Sequence, residues 1–107
     1  MKNRFRKMKA DELMVGNWVD YNNSPYKTTI ASINYAHLYE PMELTEENIF
    51  DLLGFKPVEG ITGLYSNKNG IEVDFDCNTV KVPNHVKRIR RPKHVHKLQQ
   101  LLKSLEE

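Results

Sequence analysis

The densest chemical signal in the chain is cationic. Lys87-Arg88-Ile89-Arg90-Arg91-Pro92-Lys93 places five bases in one short run. Its end falls where a helix is expected to begin, and positive charge there is disfavoured by about 0.3–1 kcal/mol per well-placed charge. Charge set against local preference points to another use. Arginine suits phosphate because its planar guanidinium donates two parallel bonds. Lys87, Arg88, Arg90, Arg91 and Lys93, with Lys81 and the basic N-terminus, are therefore the candidate contact to a nucleic-acid backbone, without reading of sequence. The competing reading is internal: the same bases neutralise acidic groups of the chain, as surface charges usually do.

Other groups that could do chemistry are weaker signals. His94 and His96 are two apart with His85 upstream. On a helix, side chains two apart diverge by about 160°, whereas ligand pairs sit three or four apart. A metal pair requires His94 to lie in the non-helical entry, and no paired-cysteine or HExxH pattern accompanies it. Glu72, Asp74 and Asp76 alternate along one expected strand. They have the chemistry for Mg²⁺ or Ca²⁺, but such a row more often keeps an edge strand soluble. Cys77 has no neighbouring His or Lys and reads as an inert small residue in a turn. No catalytic set, no metal site and no cofactor motif is assigned. Trp18, Tyr21, Tyr26, Tyr35 and Tyr39 gather in one region. Trp18 reads as core. Tyr35 and Tyr39, together with Leu98 and Leu102, are the candidate partner-binding residues.

The elements that position these groups follow from pattern and punctuation. Val15, Val19 and Tyr21 alternate ahead of the turn formers Asn22-Asn23-Ser24-Pro25, and a Thr/Ile/Tyr-rich stretch over 26–33 follows, which predicts a hairpin. Tyr35, His37 and Tyr39 continue an alternation, predicting a further strand or a bend near Asn34. A helix is expected over 46–53: Thr45 caps it, Glu46 and Glu47 suit its positive end, Leu44 staples onto Ile49, and Gly54 then Pro57 end it. A second hairpin turns at Asn69-Gly70, the pair preferred for a tight turn with positive φ at both centres. Ile71, Val73 and Phe75 form its inward set. Cys77-Asn78 turns again into 79–82, and Val86 and Ile89 mark a last short strand. From about 93 to 105, Val95, Leu98, Leu102 and Leu105 form a narrow apolar seam. Three turns are short for a free coiled coil, so the helix is expected on the sheet rather than on a copy of itself.

A chain of 107 residues with hydrophobic residues at 39% and charged residues at 28% fits one ordinary globular domain. It has room for one core and not for a deep reaction chamber as well. A single cysteine excludes an internal disulfide and suits a reducing, cytoplasmic setting. No run approaches the length of a membrane span, and the basic start lacks the apolar stretch of a signal peptide. Charge is arranged in blocks. Residues 1–10 carry Lys2, Arg4, Arg6, Lys7 and Lys9 and no acid; residues 11–80 carry twelve acids against Lys27, Lys56 and Lys68; residues 81–105 carry eight bases and no acid. The basic ends either fold back on the acidic middle or form a patch for an anionic partner.

Three segments carry a family resemblance. They are Leu13-Met14-Val15-Gly16-Asn17-Trp18-Val19 with Pro25-Tyr26-Lys27; Glu40-Pro41-Met42-Glu43-Leu44-Thr45-Glu46-Glu47 running to Leu53-Gly54-Phe55; and Val95-His96-Lys97-Leu98-Gln99-Gln100-Leu101. The chain resembles short uncharacterised proteins of Bacteroidetes genomes and their prophages or mobile elements, whose patterns read L-x-x-G-N-x-V, P-I-x-L-T-E-E-x-L-x-x-x-G-F and V-H-x-L-Q-N-L. Gln100 stands where that family usually has Asn, and its usual Leu-Thr-Gly ending is missing. The resemblance implies a bacterial or phage-linked origin and transfers no catalytic residue.

The sequence therefore predicts an α+β fold: a small curled antiparallel sheet of two hairpins, SH3-like in one form, covered by two short helices. Residues 1–10 form a basic arm, mobile or loosely docked, and 11–107 a single domain. The expected function is that of a small non-enzymatic accessory protein, phage- or mobile-element-linked, that binds an unidentified protein partner. The alternative is nucleic-acid association through 87–93. No membrane contact is expected, and the chain is expected to be a monomer or weak homodimer.

Overall fold

The computed structural model describes residues 8–83 and 88–105. The fold is α+β, with helices and two antiparallel sheets. The chain forms two compact units, Met1–Glu43 with Lys93–Glu107, and Leu44–Pro92. The single domain expected over 11–107 resolves into these two. The first unit is discontinuous in sequence, and no composition break marks either junction.

In the first unit, β1 (Trp18–Tyr21) and β2 (Ser24–Lys27) form an antiparallel hairpin. Asn22 and Asn23 have φ of 52° and 65° and make its two-residue loop; asparagine tolerates this left-handed region better than most side chains. The turn is thus shorter than the expected four residues, and Pro25 lies in β2 opposite Asp20. A proline fits there because β2 is an edge strand among the described residues. A kinked 3₁₀ helix over Ser32–Leu38 replaces the further strand or bend expected there. Thr29 and Ser32 start it by exchanging bonds: the Thr29 N–H donates to Ser32 Oγ at 2.8 Å and the Ser32 N–H to Thr29 Oγ1 at 3.1 Å. Ile33, Ala36 and Tyr39 then share the inward side at a spacing of three, the 3₁₀ period.

Helix α2 (Val95–Leu105) packs on β1 in this unit, as expected, with Val95, His96 and Leu98 buried. Met8, Leu13, Val19, Ala36 and Tyr39 form the core cluster, with Tyr26 and Ile33 against it. Met8 corrects the arm reading: it is 2% exposed and its N–H donates to the Tyr39 carbonyl at 3.2 Å. Residues 1–7 lie outside the described residues.

The second unit opens with α1 (Glu46–Asp51), capped as expected by Thr45, whose Oγ1 accepts from the Asn48 N–H at 3.1 Å. Gly54 takes φ 75° and Phe55 folds back, donating to the Ile49 carbonyl. Five short strands follow: β3 (Lys56–Pro57), β4 (Leu64–Ser66), β5 (Glu72–Asp74), β6 (Thr79–Lys81) and β7 (Ile89–Arg90). They pair in sequence order as an open antiparallel meander. Among the described residues no ladder joins β3 to β7. Register fixes the two faces, since directly opposed residues share a side. Pro57, Tyr65, Val73, Val80 and Ile89 align on the inner face, where Val73 and Val80 have no exposed surface. The outer face carries the rows Lys56–Ser66–Glu72–Lys81 and Leu64–Asp74–Thr79–Arg90. The β4–β5 loop differs from the expected tight pair: only Gly70 has positive φ (82°), and the Asn67 side chain accepts from the Asn69 and Ile71 N–H groups.

Candidate functional site

The first and third resemblance segments meet inside the first unit, and their meeting is structural. Consecutive glutamines of α2 hold the backbone ahead of β1. Gln99 Oε1 accepts from the Trp18 N–H at 2.7 Å, and its Nε2 donates to the Gly16 carbonyl at 3.0 Å. Gln100 Nε2 donates to the Glu12 carbonyl at 2.8 Å and to Asn17 Oδ1 at 3.0 Å, and Asn17 Oδ1 also accepts from the Met14 N–H. Gly16, at φ 94°, bends the chain so that its carbonyl reaches the helix. Buried Thr28 completes the set, its hydroxyl 3.1 Å from the Met14 and Asn17 carbonyl oxygens. These polar groups satisfy one another and are not arranged for chemistry.

Beside this clamp lies an open groove of about 650 Å³, lined by Val15, Lys27, Thr29, Ile30 and Ala31 over Thr28. Ile30 is 79% exposed and Val15 56%, the two most exposed large aliphatic residues described. Lys27 is the groove's one charged residue. Neither Val15 nor Ile30 was among the expected site residues. The Thr/Ile/Tyr-rich pattern places Ile30 in a strand, yet its neighbours Thr28-Thr29 and Ala31-Ser32 leave it an isolated large aliphatic, and that isolation is the available signal.

The expected partner-binding residues divide. Tyr39 is corrected to core: it is 4% exposed, its hydroxyl donates to the Ser32 carbonyl at 2.9 Å, and its ring meets Tyr26 and Tyr21 at 5.5 and 5.7 Å. Burial pushes its phenol pKa up. Leu98 is likewise corrected: it has no exposed surface, so it cannot face a partner. Tyr35 is 56% exposed and Leu102 half-buried. Trp18, read as core, is half-buried.

The cationic run divides as well. Arg91 is withdrawn from the nucleic-acid set because its guanidinium is engaged internally. Its Nε and Nη2 donate to Asn78 Oδ1, its Nη1 reaches the Leu44 and Pro92 carbonyls, and it stacks 4.6 Å over the Phe75 ring. Arg88 and Arg90 are exposed in the second unit, Lys93 is exposed in the first, and Lys87 lies outside the described residues. Lys81 stands directly opposite Glu72 on the outer sheet face. By register, then, one base of the segment 81–105 faces one acid of the chain's middle.

Of the expected acidic row, Glu72 and Asp74 project from β5, but Asp76 lies in the following turn. Asp74 Oδ1 accepts from the Asp76 and Cys77 N–H groups at 2.9 and 3.0 Å. Among the described residues no group of three or more His, Cys, Asp or Glu could hold a metal ion. His94 precedes α2, pairing with Glu43 as an isolated bridge, so its ring stacks 5.9 Å from His96 instead of diverging from it. His96 is 1% exposed, and His85 lies outside the described residues. Among the described residues no helix is long and apolar enough to cross a membrane. No protein-family model, no curated protein and no solved structure matches the chain.

Proposed function

We propose that this chain is a small non-enzymatic binding protein that acts through protein–protein contacts, with the groove of the first unit as its docking place. An accessory role in a phage or mobile element agrees with the resemblance of its three motifs. The observation that carries the reading is the exposure of Ile30 and Val15 side by side in one groove. Exposed aliphatic side chains scattered singly need no explanation, but adjacent ones in a concave patch mark an interaction site. Covering Ile30 stabilises a complex by about 1.5–3 kcal/mol, roughly tenfold to a hundredfold in Kd.

The occupant is an extended segment of another protein bearing an aliphatic anchor next to a carboxylate. The anchor fills the groove and the carboxylate complements Lys27. Strand β2, at the edge of its sheet among the described residues, supports an extended partner: Lys27 is one of its ends, and a sheet edge offers main-chain groups to an added strand. A displayed random-heptapeptide library, panned on the full chain, tests this. Enriched clones should combine aliphatic and acidic residues and lose at least tenfold in binding to a Val15→Asp/Ile30→Asp variant. Absence of enrichment, or clones that bind the variant equally, would refute it.

A further inference from the structure

We propose that the outer face of the second unit's sheet holds the phosphate backbone of a nucleic acid through Lys81, Arg88 and Arg90. This surface is separate from the groove of the first unit, and the inference does not rest on the function proposed there.

Register supplies the arrangement. On the outer face the two carboxylates, Glu72 and Asp74, come from the central strand β5, whereas Lys81 and Arg90 come from β6 and β7 on one side of it. Arg88 lies two residues before Arg90, so in an extended strand their side chains share a face about 6.6 Å apart. The acids offset these bases only in part, and Arg90 has no acid opposite it. Glu72 directly opposes Lys81, but Arg90's opposed residue is Thr79. Asp74 is also opposed by Thr79 rather than by a base, and one of its oxygens is held by two turn amides. Those amides are the main cause of its lowered pKa, and Arg88 is the weakest contributor. Arg88 and Arg90 are both exposed.

The face is also concave where a phosphate would sit. Lys81, Arg88 and Thr79 line one recess of about 200 Å³, with Glu72 and Asp74 on its β5 side and Ile61 and Leu64 completing it. A guanidinium fork, an ammonium and a hydroxyl are donors suited to one phosphate, and Arg90 extends the row toward a neighbouring one. No aromatic residue lies on the two outer rows, so no base is stacked. Contact is to the backbone, which positions a nucleic acid without reading its sequence. Charge on an edge strand also discourages wrong pairing. That role predicts that glutamine variants self-associate, whereas a phosphate contact predicts weaker binding with no change in association state.

The test is fluorescence anisotropy of labelled 20-nucleotide single strands and duplexes with the full chain, starting at about 50 mM salt, where phosphate contacts are strongest. Binding should be equal across base sequences, and the log–log salt slope on duplex near −0.9 for each phosphate neutralised. Arg88→Gln/Arg90→Gln should weaken binding about tenfold and flatten the slope by about 2, and Lys81→Gln by about 1. Arg4→Gln/Arg6→Gln, in the N-terminal segment, should leave the slope unchanged. Three results would overturn the proposal: no binding at 50 mM salt, binding confined to one base sequence, or binding lost with Arg4 and Arg6 but kept without Arg88 and Arg90. Thermal melts establish that each variant folds.

Discussion

Asp20 and Glu40 exchange backbone hydrogen bonds, each N–H donating to the other's carbonyl at 2.9 Å, so two carboxylates stand opposite each other in the first unit. Like charges placed this way destabilise a strand pair. Burial, and then the charge of Glu40, holds the Asp20 pKa above its ordinary value. A carboxyl whose pKa is raised by folding favours the folded state when protonated, so the conflict is present at neutral pH and relieved as pH falls through the raised value. Asp20→Asn should therefore stabilise the protein at pH 7 by about 0.2–1 kcal/mol. The advantage should be smaller in acidic buffer, below that raised value, than at pH 7. Urea unfolding at the two pH values measures it, and a variant less stable than wild type at pH 7 would sink the argument. Asp74 is the reverse case: turn amides hold its pKa below the ordinary value, so its contribution is present at neutral pH and lost on strong acidification.

Helix α2 contributes to the first unit in two ways, through Val95 and Leu98 in the core and through Gln99 on the backbone of 16–18. Gln99→Ala leaves the Trp18 N–H and the Gly16 carbonyl without their partner. Unmaking such part-buried bonds costs roughly 1–3 kcal/mol. Trp18 is the only tryptophan in the chain, so its fluorescence reports this unit directly, and its urea midpoint should fall accordingly; a loss under about 0.3 kcal/mol would show that the clamp is idle. Legibility in the sequence follows the range of the forces involved. Helix α1 was readable because its cap, staple and terminator lie within ten residues of one another. The alternation of β5 and the seam of α2 were readable for the same reason. Residues 33–39 were not, because Ile33, Ala36 and Tyr39 satisfy a period of three while Ile33, Tyr35, His37 and Tyr39 satisfy a period of two. Burial of the first set decides between them. The Gln99 clamp and the engagement of Arg91 by Asn78 and Leu44 join residues 83, 13 and 47 positions apart, which no local pattern marks. Of the candidate sites, the outer-face cations Arg88 and Arg90 were legible as a charge run. The Ile30 groove was not, because it exists only once the chain turns from β2 into the 3₁₀ helix.

At the scale of the whole molecule, folding redistributes the charge that the sequence keeps in blocks. The second unit, Leu44–Pro92, holds seven acids and seven bases, and the first holds nine bases and seven acids. The acidic middle and the basic run that follows it thus fall largely into one balanced unit. Neither unit carries the excess of one sign that would strain it by self-repulsion. Added salt then has little repulsion to relieve and few strong exposed pairs to weaken. Raising the salt from about 50 to 300 mM should change the unfolding free energy by less than about 1 kcal/mol, read from urea midpoints. Over the same range a backbone contact made by three cations should weaken about a hundredfold, since its salt slope scales with the phosphates neutralised. The contrast matters because a balanced unit has no long-range field to draw in a polyanion. The binding proposed for Lys81, Arg88 and Arg90 is therefore that of a local patch, acting within a Debye length of about 10 Å at 0.1 M salt. If stability fell as steeply with salt as binding does, loss of fold would explain loss of binding, and a balanced charge distribution would be the wrong description of this molecule.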